Sequence, residues 1–161
     1  MKKFISFGLT EPNYGSDATS LKTTATKVEG GYRLNGQKRW ISMTPTFADY
    51  VVVWARNANE DNKIQGFIVT KGSKGFKATK IENKYSWRMV QNADLEFNDV
   101  FVPDNNRLAH AKDFASGTNT VLEASRLSIA WMAAGVAAGA YEAALKYCLN
   151  RKQFGRPIAK F

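Results

Sequence analysis

As far as Val102, apolar and polar residues alternate in short runs separated by Gly, Asn and Asp, with no helix-length 3.6-residue pattern among them. A period of two sends successive side chains to opposite faces, so these runs predict strands. Residues 23–28 and 32–35 flank Glu29-Gly30-Gly31, a hairpin signal. Asn35-Gly36 supplies the left-handed pair favoured by a type I′ turn and predicts a second reversal before residues 38–42, hence three antiparallel strands in succession. Residues 49–56 (DYVVVWAR), 66–70 (GFIVT), 76–81 and 94–102 (DLEFNDVFV) add four more, spaced as in an antiparallel two-sheet or β-barrel-like domain.

The pattern changes after Pro103. A polar loop with Asp104, Asn105 and Asn106 leads into a helix-favouring segment from about Gly117 to Asn150, which predicts a mainly β domain over residues 1–112 and the start of a helical domain over 113–161. Thr120-Val121-Leu122-Glu123 has capping-box spacing, and Ser116 or Thr118 offers an earlier cap. Residues 127–145 are rich in Ala and Gly, with Glu142 the one strongly polar residue. Such a stretch is long enough to raise the question of a membrane span. Ala and Gly contribute little transfer energy, however, and small residues let helices approach closely, so a helix inside a bundle is expected rather than a span. A lone helix of this kind needs others to cover it, and the sequence ends at Phe161 without a polar tail, so it reads as part of a larger protein.

Composition sharpens this in three ways. With 44% hydrophobic and 12% aromatic residues, the chain can pack a core and does not read as disordered. One cysteine, Cys148, and one histidine, His110, give neither an internal disulfide nor a metal-ligating cluster. Cys148 reads as a small filler on a helix and His110 as a solvated loop residue. The opening residues lack a secretory signal, so a soluble protein of a reducing compartment is expected, with cytoplasm, mitochondrial matrix and peroxisome all open. A net charge of +9 favours an acidic partner such as a phosphorylated cofactor. Nucleic acid is not expected, because the 23 basic residues are scattered in ones and twos rather than set in a stripe.

Two segments carry candidate chemistry. Residues 9–17 (LTEPNYGSD) gather hydroxyls and backbone donors into a turn after a short apolar strand. Taken alone it reads as only a turn, although such a loop can cradle a polar ring edge or an anion. Residues 38–42 (KRWIS) put an indole and a hydroxyl two positions apart, on one face of a strand. An aromatic plane beside a hydrogen-bonding group suits a flavin, and a core Trp beside a surface Ser fits the same pattern.

Taken together, FGLTEPNYGSD and NGQKRWIS resemble the two flavin-domain signatures of the acyl-CoA dehydrogenase and oxidase family, in the same order and at similar separation. FNDVFVP resembles that family's closing strand, and RKQFGRP resembles the segment that meets the cofactor of a neighbouring subunit. The stretches TTATKVEGG, FADYVVVWARN and KATKIENK are most similar to the glutaryl-CoA dehydrogenase and plant peroxisomal short-chain acyl-CoA oxidase branches.

The resemblance implies FAD as cofactor, with Phe7, Leu9 and Thr10 lining the flavin, Trp40 packing beside it and Ser42 bonding near its reactive nitrogen. It implies that Arg151, Gln153 and Phe154 reach the cofactor of an adjacent identical subunit, in a full-length homotetramer. Ser16 and Arg126 fall where family members meet the acyl-CoA thioester. The electron acceptor implied is an electron-transfer flavoprotein or, for an oxidase, oxygen.

No residue of this chain is expected to be the catalytic base. Most relatives carry it further downstream, and the alternative family location, beside Arg126, holds Ser125 here. Glu123 is two residues out of register, a rotation of roughly 200° on a helix. Met43 and Thr44 depart from the Asn-Gly or Asn-Ser pair that commonly follows the Trp signature. A binding module that never holds flavin is the alternative reading.

Overall fold

A computed structural model describes residues 3–43 and 47–161, and it divides into two compact units, one up to Asn119 and one from Thr120 to Phe161. Thr44, one of the two departures from the family pattern, lies outside the described residues.

Seven strands make the first unit: β1 (Ile5–Gly8), β2 (Thr24–Val28), β3 (Gly31–Ser42), β4 (Tyr50–Asn57), β5 (Lys63–Thr70), β6 (Phe76–Lys80) and β7 (Asn92–Pro103). They form one sheet in the order β1-β4-β2-β3-β7-β6, with β5 along the other edge of β4. Inward positions alternate along each strand: Val51, Val53 and Ala55 on β4, Phe67 and Val69 on β5, Leu95 and Phe97 then Val100 and Val102 on β7. Burying each Leu or Phe in this half-barrel core contributes about 1.5–3 kcal/mol.

Two expectations about pairing are corrected. The sheet is mixed rather than antiparallel throughout, because β1 and β2 both run parallel to β4, Ile5–Gly8 against residues 50–53 and Thr24 and Ala25 against Arg56 and Asn57. They are two halves of one edge path, and residues 9–23 form an excursion between them. The second correction concerns Asn35-Gly36, which is no turn: β3 runs unbroken through it. Gly36 is required instead by close approach, since a Cβ there would sit 2.6 Å from the Thr23 hydroxyl at a φ of +145°. The hairpin at Glu29-Gly30 is present, with Val28 paired to Gly31.

The β3–β7 ladder carries two offsetting bulges. Leu34 pairs with Val100 and Gly36 with Phe97, so β7 holds an extra residue, and Asp99 takes a left-handed φ of 53°. Lys38 pairs with Leu95 and Ile41 with Ala93, so here β3 holds the extra residue. Lys38 and Ile41 are both buried although three positions apart, which a period of two forbids without an inserted residue. Trp40, at a φ of 63°, absorbs the difference.

Before the second unit, Asp113 and Ser116 exchange bonds: the Ser116 N–H donates to Asp113 Oδ1 (2.8 Å) and the Asp113 N–H to Ser116 Oγ (3.1 Å). This reciprocal cap displaces the one expected at Thr120, and the helical path opens with a wide π turn over Ala115–Asn119. Gly117 packs flat on Trp54, where a Cβ would come within 2.6 Å of the ring.

The second unit contains α1 (Thr120–Asn150), none of whose residues is buried, then β8 (Lys152–Gln153) paired with β9 (Arg156–Pro157). By length and mean hydropathy the helical path Ala115–Asn150 could cross a membrane. Its Ala- and Gly-rich composition is also that of a helix packed among others.

Candidate functional site

The excursion formed by residues 9–23 is locked to β3 by a buried ion pair. Lys38 enters the interior at the last inward position before the bulge, and its Nζ lies 2.9 Å from Glu11 Oε1, with side-chain exposures of 0% and 5%. The same ammonium donates to the Leu9 carbonyl at 3.0 Å. Glu11 also accepts from the Thr23 N–H (2.9 Å), the Thr23 hydroxyl (2.6 Å) and the Lys22 N–H (2.7 Å), so both ends of the excursion close on one carboxylate. Burial pushes Lys38 down to about 8, against the pull of Glu11. Burial works against the charge of Glu11 as well, but Lys38 and the Thr23 and Lys22 donors outweigh it and hold the carboxyl below its ordinary value.

This clamp sets Leu9 and Thr10 against the bulge. The Arg39 N–H donates to the Thr10 carbonyl at 2.8 Å, and Ser6 Oγ donates to the Ser42 carbonyl at 2.8 Å. The end of β1 therefore runs beside residues 38–42, as the two motifs require if they serve one site. Leu9 is buried, Thr10 half-buried, Phe7 partly exposed with its ring 6.0 Å from that of Trp54, and Ser16 exposed further along the excursion.

Trp40 is 48% exposed, and its left-handed backbone turns it away from the core that buries Ile41. A non-glycine residue in that conformation stores strain, a feature that concentrates where function fixes geometry. The Arg39 guanidinium lies over the indole, 5.0 Å from the ring centroid, and its Nη1 is 3.1 Å from Asp94 Oδ2. Asp94 Oδ1 is buried with no partner among the described residues. Ser42, two residues further on, is exposed as well. Met43 is left-handed too, at 67°, a backbone state that Asn adopts far more readily than Met, which gives the departure at this position a physical meaning. A cleft of about 410 Å³ beside the indole is lined by Arg39, Trp40, Ile81, Lys84 and Tyr85 among others.

A flat, half-exposed aromatic ring, hydroxyls at Thr10 and Ser42 and a rigid backbone behind them form a donor set that fits the edge and face of an isoalloxazine. Sequence reasoning missed the buried pair, although a lysine at an inward strand position signals a need for a carboxylate. It also missed Asn92, whose amide meets Trp40 and Ser42.

The family descriptions agree with this architecture: acyl-CoA dehydrogenase, middle domain, matches residues 6–100, and acyl-CoA dehydrogenase, C-terminal domain, matches residues 115–161. The chain belongs to the acyl-CoA dehydrogenase family. Benzylmalonyl-CoA dehydrogenase of Aromatoleum aromaticum is 40% identical over 95% of this chain and 40% of its own length. The caffeyl-CoA reductase-Etf complex subunit CarC of Acetobacterium woodii is 38% identical over 99% of this chain and 42% of its own. A glutaryl-CoA dehydrogenase from Mycobacterium smegmatis, solved in complex with FADH2, superposes with a TM-score of 0.88 at 31% identity, over 99% of this chain and 40% of that one. The chain thus spans about two fifths of the length of these relatives, and members of the acyl-CoA dehydrogenase family use FAD.

The remaining expected site residues lie in the second unit. Arg126 is exposed on α1. Arg151 ends the helix, its N–H on the Tyr147 carbonyl (2.8 Å) and its own carbonyl accepting from Ile158 (2.9 Å). Phe154 and Gly155, at φ 48° and 75°, make the two-residue left-handed turn of the β8–β9 hairpin. That turn exposes Phe154 at 92%, in edge contact with Phe161, and leaves Gln153 at the surface.

Proposed function

We propose that this chain carries the flavin-facing part of an FAD-dependent oxidoreductase that dehydrogenates acyl-CoA thioesters between the alpha and beta carbons. The observation that carries the reading is the strained, half-exposed Trp40 held with Ser42 beside the clamped Leu9-Thr10 segment. Trp40 offers a flat face, Thr10 and Ser42 offer hydroxyls to polar ring atoms, and Phe7 and Leu9 supply apolar wall. Bound FAD would supply hydride acceptance. Ser16 and Arg126 are the groups of this chain assigned to the thioester.

Arg151, Gln153 and Phe154 are assigned to the cofactor of an adjacent identical subunit in an oligomer, where an arginine can make charge-assisted bonds to a pyrophosphate. The base that removes the alpha proton is assigned to no residue of this chain. An electron-transfer flavoprotein is the acceptor proposed, in keeping with the relative named for an Etf complex. Oxygen is the competing acceptor, separated from it by anaerobic turnover with a dye in the full enzyme.

Titration of the purified chain with FAD, followed by flavin fluorescence, tests the reading. Saturable quenching is expected, with affinity falling about tenfold or more in Trp40→Ala, since an aromatic contact is worth about 0.5–1.5 kcal/mol beyond its area. Fluorescence unchanged at high FAD overturns the flavin role of this chain.

A further inference from the structure

Asn92, the first residue of β7, joins three segments. Its Nδ2 donates to the Trp40 carbonyl at 3.1 Å and to Ser42 Oγ at 3.0 Å, spanning both sides of Ile41. Its Oδ1 accepts from Lys84 Nζ at 2.5 Å. The same ammonium donates to the Trp87 carbonyl at 2.9 Å and to the Val90 carbonyl.

An ammonium has three donors and no acceptor, and here all three are used. That decides the sense of the Asn92 amide. Rotated by half a turn, it would set its NH2 against the ammonium and its oxygen against the Trp40 carbonyl, two repulsions in place of two bonds. The sense of an amide is ordinarily ambiguous, but a cation on one side and a carbonyl on the other leave one arrangement. The amide in turn decides part of the Ser42 hydroxyl: Oγ receives an N–H from Asn92, so its proton is directed elsewhere.

Lys84 also organises the segment that carries it. Tyr85, Trp87 and Met89 are 104%, 60% and 97% exposed, so residues 82–91 hold little apolar burial, and Asn83 and Trp87 are left-handed. The Val90 N–H on the Trp87 carbonyl (3.0 Å) and the Met43 N–H on the Gln91 carbonyl (3.0 Å) also tie its backbone.

We propose that Lys84 and Asn92 are positioning residues of the flavin site: the cation fixes the amide, and the amide fixes the Trp40 backbone and the Ser42 hydroxyl, so the segment after β6 sets how both are presented. This rests on Trp40 and Ser42 facing the cofactor. Asn92→Asp is the discriminating change, because its carboxylate still accepts from Lys84, now as an ion pair, but can donate to neither Trp40 nor Ser42. Lys84→Met removes the cation and releases the amide.

Amide exchange and the indole N–H resonance of Trp40 in the chain without cofactor, together with FAD titration, provide the test. Residues 40–43 are expected to exchange at least about tenfold faster in both variants, with β4 and β5 amides unchanged as the control for folding. The Val90 amide should keep its protection in Asn92→Asp and lose it in Lys84→Met. FAD affinity should fall about tenfold in each, with a smaller further loss from Asn92→Asp when Ser42→Ala is already present, because only the Trp40 bond is then left to lose.

Exchange and indole resonance unchanged in both variants overturn the proposal whatever FAD does. Faster exchange with undiminished FAD affinity overturns the link to the cofactor. A parent chain that binds no FAD defeats the flavin reading, while the exchange result still decides whether Lys84 and Asn92 hold the bulge.

Discussion

The two units use their apolar residues in opposite ways. In the sheet, Leu34, Val53, Phe67, Leu95 and Val100 are fully buried, whereas on α1 Leu127, Trp131, Val136 and Tyr141 are 65%, 74%, 68% and 69% exposed. Strand alternation selects one face, and the sheet folds that face onto itself. The helix is apolar on every side, a pattern suited to burial among other elements rather than on one flank. The sheet unit therefore carries its own stability, and the helical unit presents surface.

The contrast breaks most sharply at Lys38. Replacing it with Met leaves Glu11 charged, buried and short of a partner, and loss of one member of a buried pair costs about 3–5 kcal/mol. Urea unfolding followed by tryptophan fluorescence should show that loss in the sheet, while far-ultraviolet helicity from α1 stays. A midpoint unchanged in Lys38→Met would mean that the excursion is held by its backbone bonds alone.

The pair also gives the sheet a pH signature. The folded pKa of Lys38, about 8, lies below its ordinary 10.5, so the unfolded chain binds more protons between those values and stability rises with pH across that window. The carboxyl of Glu11 is depressed, so its contribution is present above 4.5 and is lost as pH falls below it. Unfolding midpoints of the parent against Glu11→Gln/Lys38→Met should show the rise between pH 8 and 10.5 in the parent alone. Equal slopes would remove the ion pair from the account.

Next in size is the direct comparison of one leucine from each unit. Leu95→Ala should destabilise by about 2–5 kcal/mol, since it opens a cavity in a closed core. Leu127→Ala should change stability by less than about 0.5 kcal/mol, as for an exposed position. Comparable losses would show that α1 is covered in solution, for instance by a second copy of the chain.

How much of this was legible in the sequence follows from the same physics. Alternation located the strands, because period two is local and survives without knowledge of the partner. It did not reveal that β1 and β2 share one edge of β4, because parallel pairing depends on where the excursion returns. Asn35-Gly36 carries a turn signal that the ladder overrides, with the extra residue of the bulge opposite it in β7. Trp40 and Ser42 are both exposed, but plain alternation does not explain Trp40, since Lys38 two positions before it is buried: the extra residue in β3 turns it outward. Lys38, Glu11 and Asn92 were missed because each matters through a partner far away in sequence, and Lys84 because its nearby partners are mostly backbone carbonyls, which no residue type announces. The roles of Arg126, Arg151, Gln153 and Phe154 stand on resemblance, and the exposed hairpin turn at Phe154 is compatible with them.

A near-neutral stability effect is expected at Trp40, although its predicted effect on cofactor binding is large. A core tryptophan replaced by a small residue would cost about 3–5 kcal/mol. Trp40 differs on two counts. Nearly half of it is exposed, and its backbone sits at a φ of 63°, where asparagine is far more at ease than tryptophan. Trp40→Asn loses the Arg39 contact, worth about 0.5–1 kcal/mol at an exposed site, and regains a similar amount of backbone strain. The net change in unfolding free energy should lie within about 1 kcal/mol of zero, while FAD affinity falls about tenfold. A loss of several kcal/mol would make Trp40 a core residue that happens to reach the surface. A near-neutral change with the cofactor lost would mean that the strand keeps a strained indole for the ligand it meets rather than for the fold it belongs to.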